Sequence, residues 1–325
     1  MLLYLSLLLA VILLGFIFDF LNGFHDSANA IAASVSTRVL APRSAVLLAA
    51  GFNLLGALSS TEVAKMVGSG LVAPDHVDQI TLVAALLAAI SWDIITWYWG
   101  LPTSSSHALL SGLVGAGIAT GGLGIILWGS LGKILLALVL SPLIGFGLGF
   151  LLMFSLNRLP VQVTAVFSKL QIVSAMALAF SHGSNDAQKT MGIIALSLFS
   201  YGLLPSLSVP LWVMLLSATA MALGTGFGGW RASKTLGMRL AHLRPIHGFA
   251  AESSSAAVIL INSYLGLPIS TTHVIGSAVI GVGAAKRLKA VRWGVGRQIA
   301  LNWALTLPAC AAIAWLICTL LLRWL

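Results

Sequence analysis

Two short polar stretches stand out in this apolar chain. One runs Asn22-Gly23-Phe24-His25-Asp26-Ser27-Ala28-Asn29, and the other His182-Gly183-Ser184-Asn185-Asp186-Ala187-Gln188-Lys189. Each centres on an aspartate among Gly, Asn and Ser. A carboxylate beside amide and backbone oxygens is a hard-oxygen set, suited to Na+ or to a proton. Asn22, Asp26, Asn29, Asn185 and Asp186 are therefore candidate cation-binding and coupling residues. The copies differ: His25 stands against Asn185, and Lys189 against Asn29. His25, Lys189 and a third apolar-segment group, Glu252, are candidates for a proton or charge role, with Lys189 standing in for a cation. No resident metal is identified.

A second pair of motifs has the opposite chemistry. Pro102-Thr103-Ser104-Ser105-Ser106-His107 matches Pro268-Ile269-Ser270-Thr271-Thr272-His273. Proline ends the preceding helix, and Ser104 and Ser270 are N-cap types opening runs of small helix-compatible residues. A helix N-terminus offers unpaired N–H groups and the positive dipole end, which together bind anions. Ser104, Ser105, Ser106, Ser270, Thr271 and Thr272 are thus candidate oxyanion-binding residues. His107 and His273 are open to bracing the turn. Asp19 and Asp93 are open to interfacial or pairing roles. A multivalent oxyanion beside two carboxylates at low dielectric is strongly repelled. Cations or protons must then bind with it, so coupling follows from charge balance. A carboxylate acceptor also favours phosphate, which keeps an O–H near neutral pH, over sulfate.

The rest of the chain sets these groups in a bilayer. Of its 325 residues, 59% are hydrophobic and 8% charged, against about 25% charged in soluble domains. Apolar runs of about 20 residues recur, the length of a transmembrane helix. The short alternating segments of a β-barrel are absent. The net charge of +9 sits mainly in short loops, as the positive-inside rule expects, and gives no case for nucleic acid. Cys310 and Cys318 make no disulfide framework. The N-terminal run lacks the charged start of a signal peptide and reads as the first spanning helix.

Both motif pairs recur in one order at near-constant spacing, the signature of an internal repeat. The loop at Arg38–Arg43 is basic, whereas that at Thr61–Gln79 holds Glu62, Lys65, Asp75 and Asp78. In the second half the character is exchanged: Gly228–His247 carries Arg231, Lys234, Arg239 and Arg244 without an acid. Basic loops stay cytoplasmic, so the halves should be upside down relative to each other. The expected fold is an all-α polytopic membrane protein. Two inverted repeats, 1–160 and 161–325, contribute broken helices and helical hairpins that meet near the bilayer midplane. Gly23 and Gly183, with their Asn and Asp neighbours, mark the expected breaks. Both termini should lie outside.

The segments Asn22–Thr37 (NGFHDSANAIAASVST) and His182–Gly192 (HGSNDAQKTMG), with LPTSSSH and LPISTTH, resemble the PiT inorganic phosphate transporter family, bacterial low-affinity type. Gly229-Trp230-Arg231, Lys234-Thr235 and Gly248-Phe249-Ala250-Ala251-Glu252 add to the likeness, which covers nearly the whole chain. The resemblance implies import of inorganic phosphate across the cell membrane by symport with Na+ or H+, or as metal–phosphate with H+. Its partners would be phosphate, the coupling cation and the lipid bilayer, with a homodimer left open and no cofactor. The family's phosphate-contacting hydroxyls fall on Ser104–Ser106 and Ser270–Thr272, and its Asn-Asp pair on His25-Asp26 and Asn185-Asp186. A related branch carries sulfate, so a sulfate permease is the alternative. An intramembrane hydrolase would need one unique nucleophile, whereas these Ser and His motifs are duplicated, so an enzyme is not expected. An anion channel would lack cation dependence.

Overall fold

The computed structural model describes residues 2–101, 103–159, 164–228, 243–286, 288 and 291–324. Pro102, the expected repeat boundary at 160/161 and most of the basic loop with Arg231, Lys234 and Arg239 lie outside them. The first half holds α1 (Leu2–Ser36), α2 (Pro42–Ala57), α3 (Glu62–Gly70), α4 (Gln79–Tyr98), α5 (Ser105–Gly121) and α6 (Trp128–Leu156). The second holds α7 (Thr164–Ser200), α8 (Leu211–Phe227), α9 (Pro245–Tyr264), α10 (Thr271–Lys286) and α11 (Trp293–Trp324). Among the described residues, four helices are long and apolar enough to cross a membrane, and α2 with α3, bent by 65°, meets the same test as a broken pair. Leu13 on α1 and Val139 and Leu143 on α6 are exposed. Outward apolar side chains are what a lipid-facing surface requires.

The broken element is therefore the α2–α3 pair, not the Asp motifs. Helix α1 runs unbroken for 35 residues through Asn22–Asp26, and α7 for 37 residues through His182–Lys189. The glycines expected to loosen these helices serve close packing instead. A Cβ on Gly23 would run into the Met221 carbonyl of α8, and one on Gly183 into the Asn53 carbonyl of α2. Only a missing side chain lets the crossing helices approach so closely.

The packing is reciprocal, as a pseudo-two-fold between halves requires. Helix α1 packs on α8 and α7 on α2; α6 packs on α10 and α11 on α5. Each half's last helix thus embraces the hairpin helix of the other. The hairpins α4–α5 and α9–α10 turn in the same way. Gly100 and Gly266 adopt φ of 66° and 70°. Leu101 N–H bonds the Thr96 carbonyl at 2.9 Å, and Leu267 N–H bonds the Asn262 carbonyl at 2.8 Å. These are left-handed C-caps of the Schellman kind, where glycine carries no Cβ penalty. They set the chain direction into the serine- and threonine-rich segments that follow.

Candidate functional site

Helices α5 and α10 begin where the sequence places their caps. Ser104 Oγ accepts the His107 N–H at 3.2 Å, and Ser270 Oγ accepts the His273 N–H at 3.3 Å. Ser105, Ser106, Thr271 and Thr272 fill the first turns, all buried. The two histidines meet between the helices, with ring centroids 4.4 Å apart. His107 also holds Ser104 through Nδ1 at 2.8 Å, and His273 stacks on Trp303 at 3.6 Å. They brace the paired helix starts.

The carboxylates of the two long helices reach these N-termini. Ser105 Oγ donates within 2.8 Å of Asn22 Oδ1 and lies 3.2 Å from Asp26 Oδ2. Thr271 Oγ1 donates to Asp186 Oδ2 at 2.7 Å. Contacts also cross between halves. Thr272 Oγ1, of the second half, lies 3.3 Å from Asp26 Oδ1 of the first. Lys189 Nζ, of the second half, donates to Ser106 Oγ of the first, to Asp186 Oδ1 and to the Ile269 carbonyl at 2.9 Å. A carboxylate, a hydroxyl and a carbonyl around one ammonium form the oxygen set that would otherwise hold a metal cation. Ligand atoms of Asp26, His182 and Asp186 all lie within 4.8 Å of one another. His182 Nε2 lies 3.0 Å from Asp186 Oδ2, and His25 Nδ1 lies 3.1 Å from Asp26 Oδ1. All these groups are buried. Buried charges persist only when paired and hydrogen-bonded, and here both carboxylates are.

The other sequence candidates lie differently. Asn185 uses its amide on the α9–α10 hairpin: Nδ2 donates to Ser263 Oγ at 3.0 Å and the Leu267 carbonyl at 3.2 Å, and Oδ1 accepts the Ile269 N–H at 3.2 Å. The Asn29 side chain is outside the described groups. Glu252 binds Ser34 at 2.7 Å, Ser174 at 2.6 Å and Gln171 at 3.3 Å. That network ties α1, α7 and α9 together. Asp19 and Asp93 are both buried, and the geometry gives neither carboxylate a hydrogen-bond partner among the described residues. Asp93 and His25 border a cavity of about 250 Å³, walled by Phe20, Phe24 and Trp97. Sequence reasoning missed His182 as a partner of Asp186; its i,i+4 spacing on a helix was the available signal.

A profile of the phosphate transporter family matches residues 22–314. The chain belongs to the phosphate transporter family. It is 48% identical to a probable low-affinity inorganic phosphate transporter of Rhizobium meliloti, covering 95% of this chain and 94% of that one. It is 43% identical to the corresponding protein of Bacillus subtilis, covering 95% of each. A solved structure described as the sodium-dependent phosphate transporter superposes with a TM-score of 0.90 at 28% identity, over 98% of this chain and 100% of that one. The family consists of transporters and not enzymes, and the nearly all-helical fold is shared with that solved structure. This family member is a membrane protein with a buried polar centre between its two halves.

Proposed function

We propose that this transporter imports inorganic phosphate by symport with a monovalent cation, Na+ or H+. One observation carries the reading: Asp26 and Asp186 come from opposite halves to within 4.8 Å of each other, against the first turns of two facing helices. In this reading the N–H groups and hydroxyls of Ser104–Ser106 and Ser270–Thr272 hold the phosphate oxygens. Ser105, Thr271 and Thr272 now turn their hydroxyls to the two carboxylates, so for these three an entering anion exchanges one acceptor for another. Two carboxylates and the Lys189 ammonium leave one negative charge before a phosphate dianion arrives. At low dielectric that sum demands added positive charge. Asp26, with Asn22 and His25, is where the exchangeable cation or proton would bind. On the Asp186 side Lys189 already supplies a fixed one. A carboxylate facing the anion accepts from the phosphate O–H, which disfavours sulfate.

The test is 32P-phosphate uptake into liposomes holding the purified protein, with Na+ and pH gradients imposed separately. Uptake driven by one gradient and insensitive to excess sulfate is expected. Uptake abolished by sulfate would reassign the substrate, and flux indifferent to both gradients would remove coupling. A second reading rests on the same three-residue cluster. Asp26, His182 and Asp186 form a ligand set for a divalent ion, fitting a neutral metal–phosphate complex as cargo. Uptake that collapses with a chelator and returns with Mg2+ would favour it.

A further inference from the structure

The cavity of about 250 Å³ lies between α1 and α4, beside the centre just described. Phe20, Phe24, Ile94 and Trp97 wall it, and His25 and Asp93 border it. Asp93 is 2% exposed, and the geometry gives neither of its carboxylate oxygens a hydrogen-bond partner among the described residues. The Thr96 hydroxyl goes to the backbone carbonyl of Asp93 and not to its side chain. His25 Nδ1 is engaged with Asp26 at 3.1 Å. A buried carboxylate without a partner is costly unless a counter-charge or a proton joins it. The walls suit a counter-charge of one kind. Ring centroids of Phe20 and Phe24 are 6.3 Å apart, and those of Phe24 and Trp97 5.5 Å apart. Aromatic faces attract cations, Trp most of all, and more strongly where water is excluded.

The repeat supplies an independent comparison. The matching turn bonds of Leu101 and Leu267, and the matching close approaches of Gly23 and Gly183, fix which positions correspond. On that correspondence Phe24 matches Ser184, His25 matches Asn185, Trp97 matches Ser263 and Asp93 matches Ile259. In the second half these positions close on one another. Ser184 Oγ donates to Ser263 Oγ at 3.3 Å, and Asn185 Nδ2 donates to the same oxygen at 3.0 Å. Ile259 is buried there in an apolar cluster. The crossing of long helix and hairpin therefore needs neither a cavity nor a carboxylate. The first half has both, with aromatic rings where the second has hydroxyls.

We infer that this cavity binds a small organic ammonium ion with an apolar body, its head at the Asp93 carboxylate and its body against Phe24 and Trp97. Charge complementarity selects the head, and the aromatic walls select the body. An inorganic cation such as Na+ needs several oxygens around it, and of these six side chains Asp93 alone supplies any. Ile94 on the rim is exposed on a helix long and apolar enough to cross a membrane, so an apolar amine reaches the cavity from the bilayer. Once bound, it wedges between α1 and α4 and is separated from Asp26 by His25. It should then slow transport without competing with phosphate. That effect rests on the import reading above, whereas the binding does not.

The test uses the purified full-length protein and two probes of one shape, benzylammonium chloride and the neutral benzyl alcohol. Thermal stabilisation is titrated with each, in detergent and without phosphate. Benzylammonium should stabilise saturably and benzyl alcohol should not; equal effects of the two overturn the site. Asp93→Asn keeps the shape and removes the charge, so it should weaken benzylammonium by about tenfold or more. Asp26→Asn should leave that affinity in place, which separates this site from the phosphate centre. Unaltered affinity in Asp93→Asn, or its loss in Asp26→Asn alone, overturns the proposal. If Asp93→Asn does not fold, Trp97→Leu decides: it should weaken binding by about fivefold, and unaltered affinity overturns the site. Repeating the titration in phosphatidylglycerol vesicles with and without phosphatidylethanolamine tests a lipid headgroup as the source of the ammonium. Competition by phosphatidylethanolamine would overturn the free amine as occupant. In liposomes, saturating benzylammonium should lower the maximal rate of 32P-phosphate uptake and leave the half-saturating phosphate concentration unchanged. Unaffected uptake would overturn the inhibitory role.

Discussion

Lys189 and Asn29 hold matching places in the two repeats, yet one is a cation and the other neutral. The ammonium sits among Ser106, Asp186 and the Ile269 carbonyl, so one half carries its counter-charge covalently. Lys189→Asn gives the second half the first half's residue type. The variant should need about tenfold more cation for half-maximal uptake, with a steeper cation dependence, measured as initial 32P-phosphate rates against Na+ or proton concentration. Asp26→Asn should abolish cation-driven uptake and leave a folded protein, judged by a single monodisperse peak on size exclusion. Normal cation-dependent uptake in that variant would remove Asp26 from coupling. Ser105→Ala with Thr271→Ala takes away one hydroxyl donor from each helix start. Hydrogen bonds to charged groups are worth about 1.5–3 kcal/mol, so the half-saturating phosphate concentration should rise about tenfold or more. Unchanged values would mean that these hydroxyls only brace their aspartates.

The decisive elements are two long helices crossing two shorter ones through glycine. The sequence around Gly23 and Gly183 suggests helix breaks, because Gly and Asn are poor helix formers. The helices stay intact because the crossing partners α8 and α2 pack directly against them and Asn22, Asp26 and Asp186 find partners beyond their own helix. Propensity is a weak prior that tertiary packing overrides. Gly183→Ala should therefore act by overpacking and not by stiffening. Forcing a methyl against the Asn53 carbonyl should cost about 1–3 kcal/mol, seen as a lowered midpoint in a thermal unfolding assay in detergent. A stabilised variant would restore the helix-break reading. The hairpins were legible for a different reason. Their prolines mark the end of one helix, and Ser104 and Ser270 name the N-cap of the next, since both signals are local chemistry read over a few residues.

For the whole molecule, we propose from the loop charges and the repeat that both termini lie outside. Single cysteines introduced beside residues 3 and 323, after replacing Cys310 and Cys318 with serine, should label with a membrane-impermeant maleimide on intact cells. Labelling that needs permeabilised cells would reverse the orientation. The sequence by itself determined the duplication, the membrane setting, the helix starts suited to an oxyanion and the inequality of the two copies. Each of these is written in composition, short motifs or loop charge, and needs no knowledge of distance. Only the tertiary structure decided that Asp26 and Asp186 share one centre, that Lys189 reaches Ser106 across the halves, and that Asn185 serves the hairpin. It alone showed that Glu252 ties three helices together. Those facts depend on which faces of distant helices meet. That is set by glycine-mediated close packing between segments far apart in the chain, which no local pattern records.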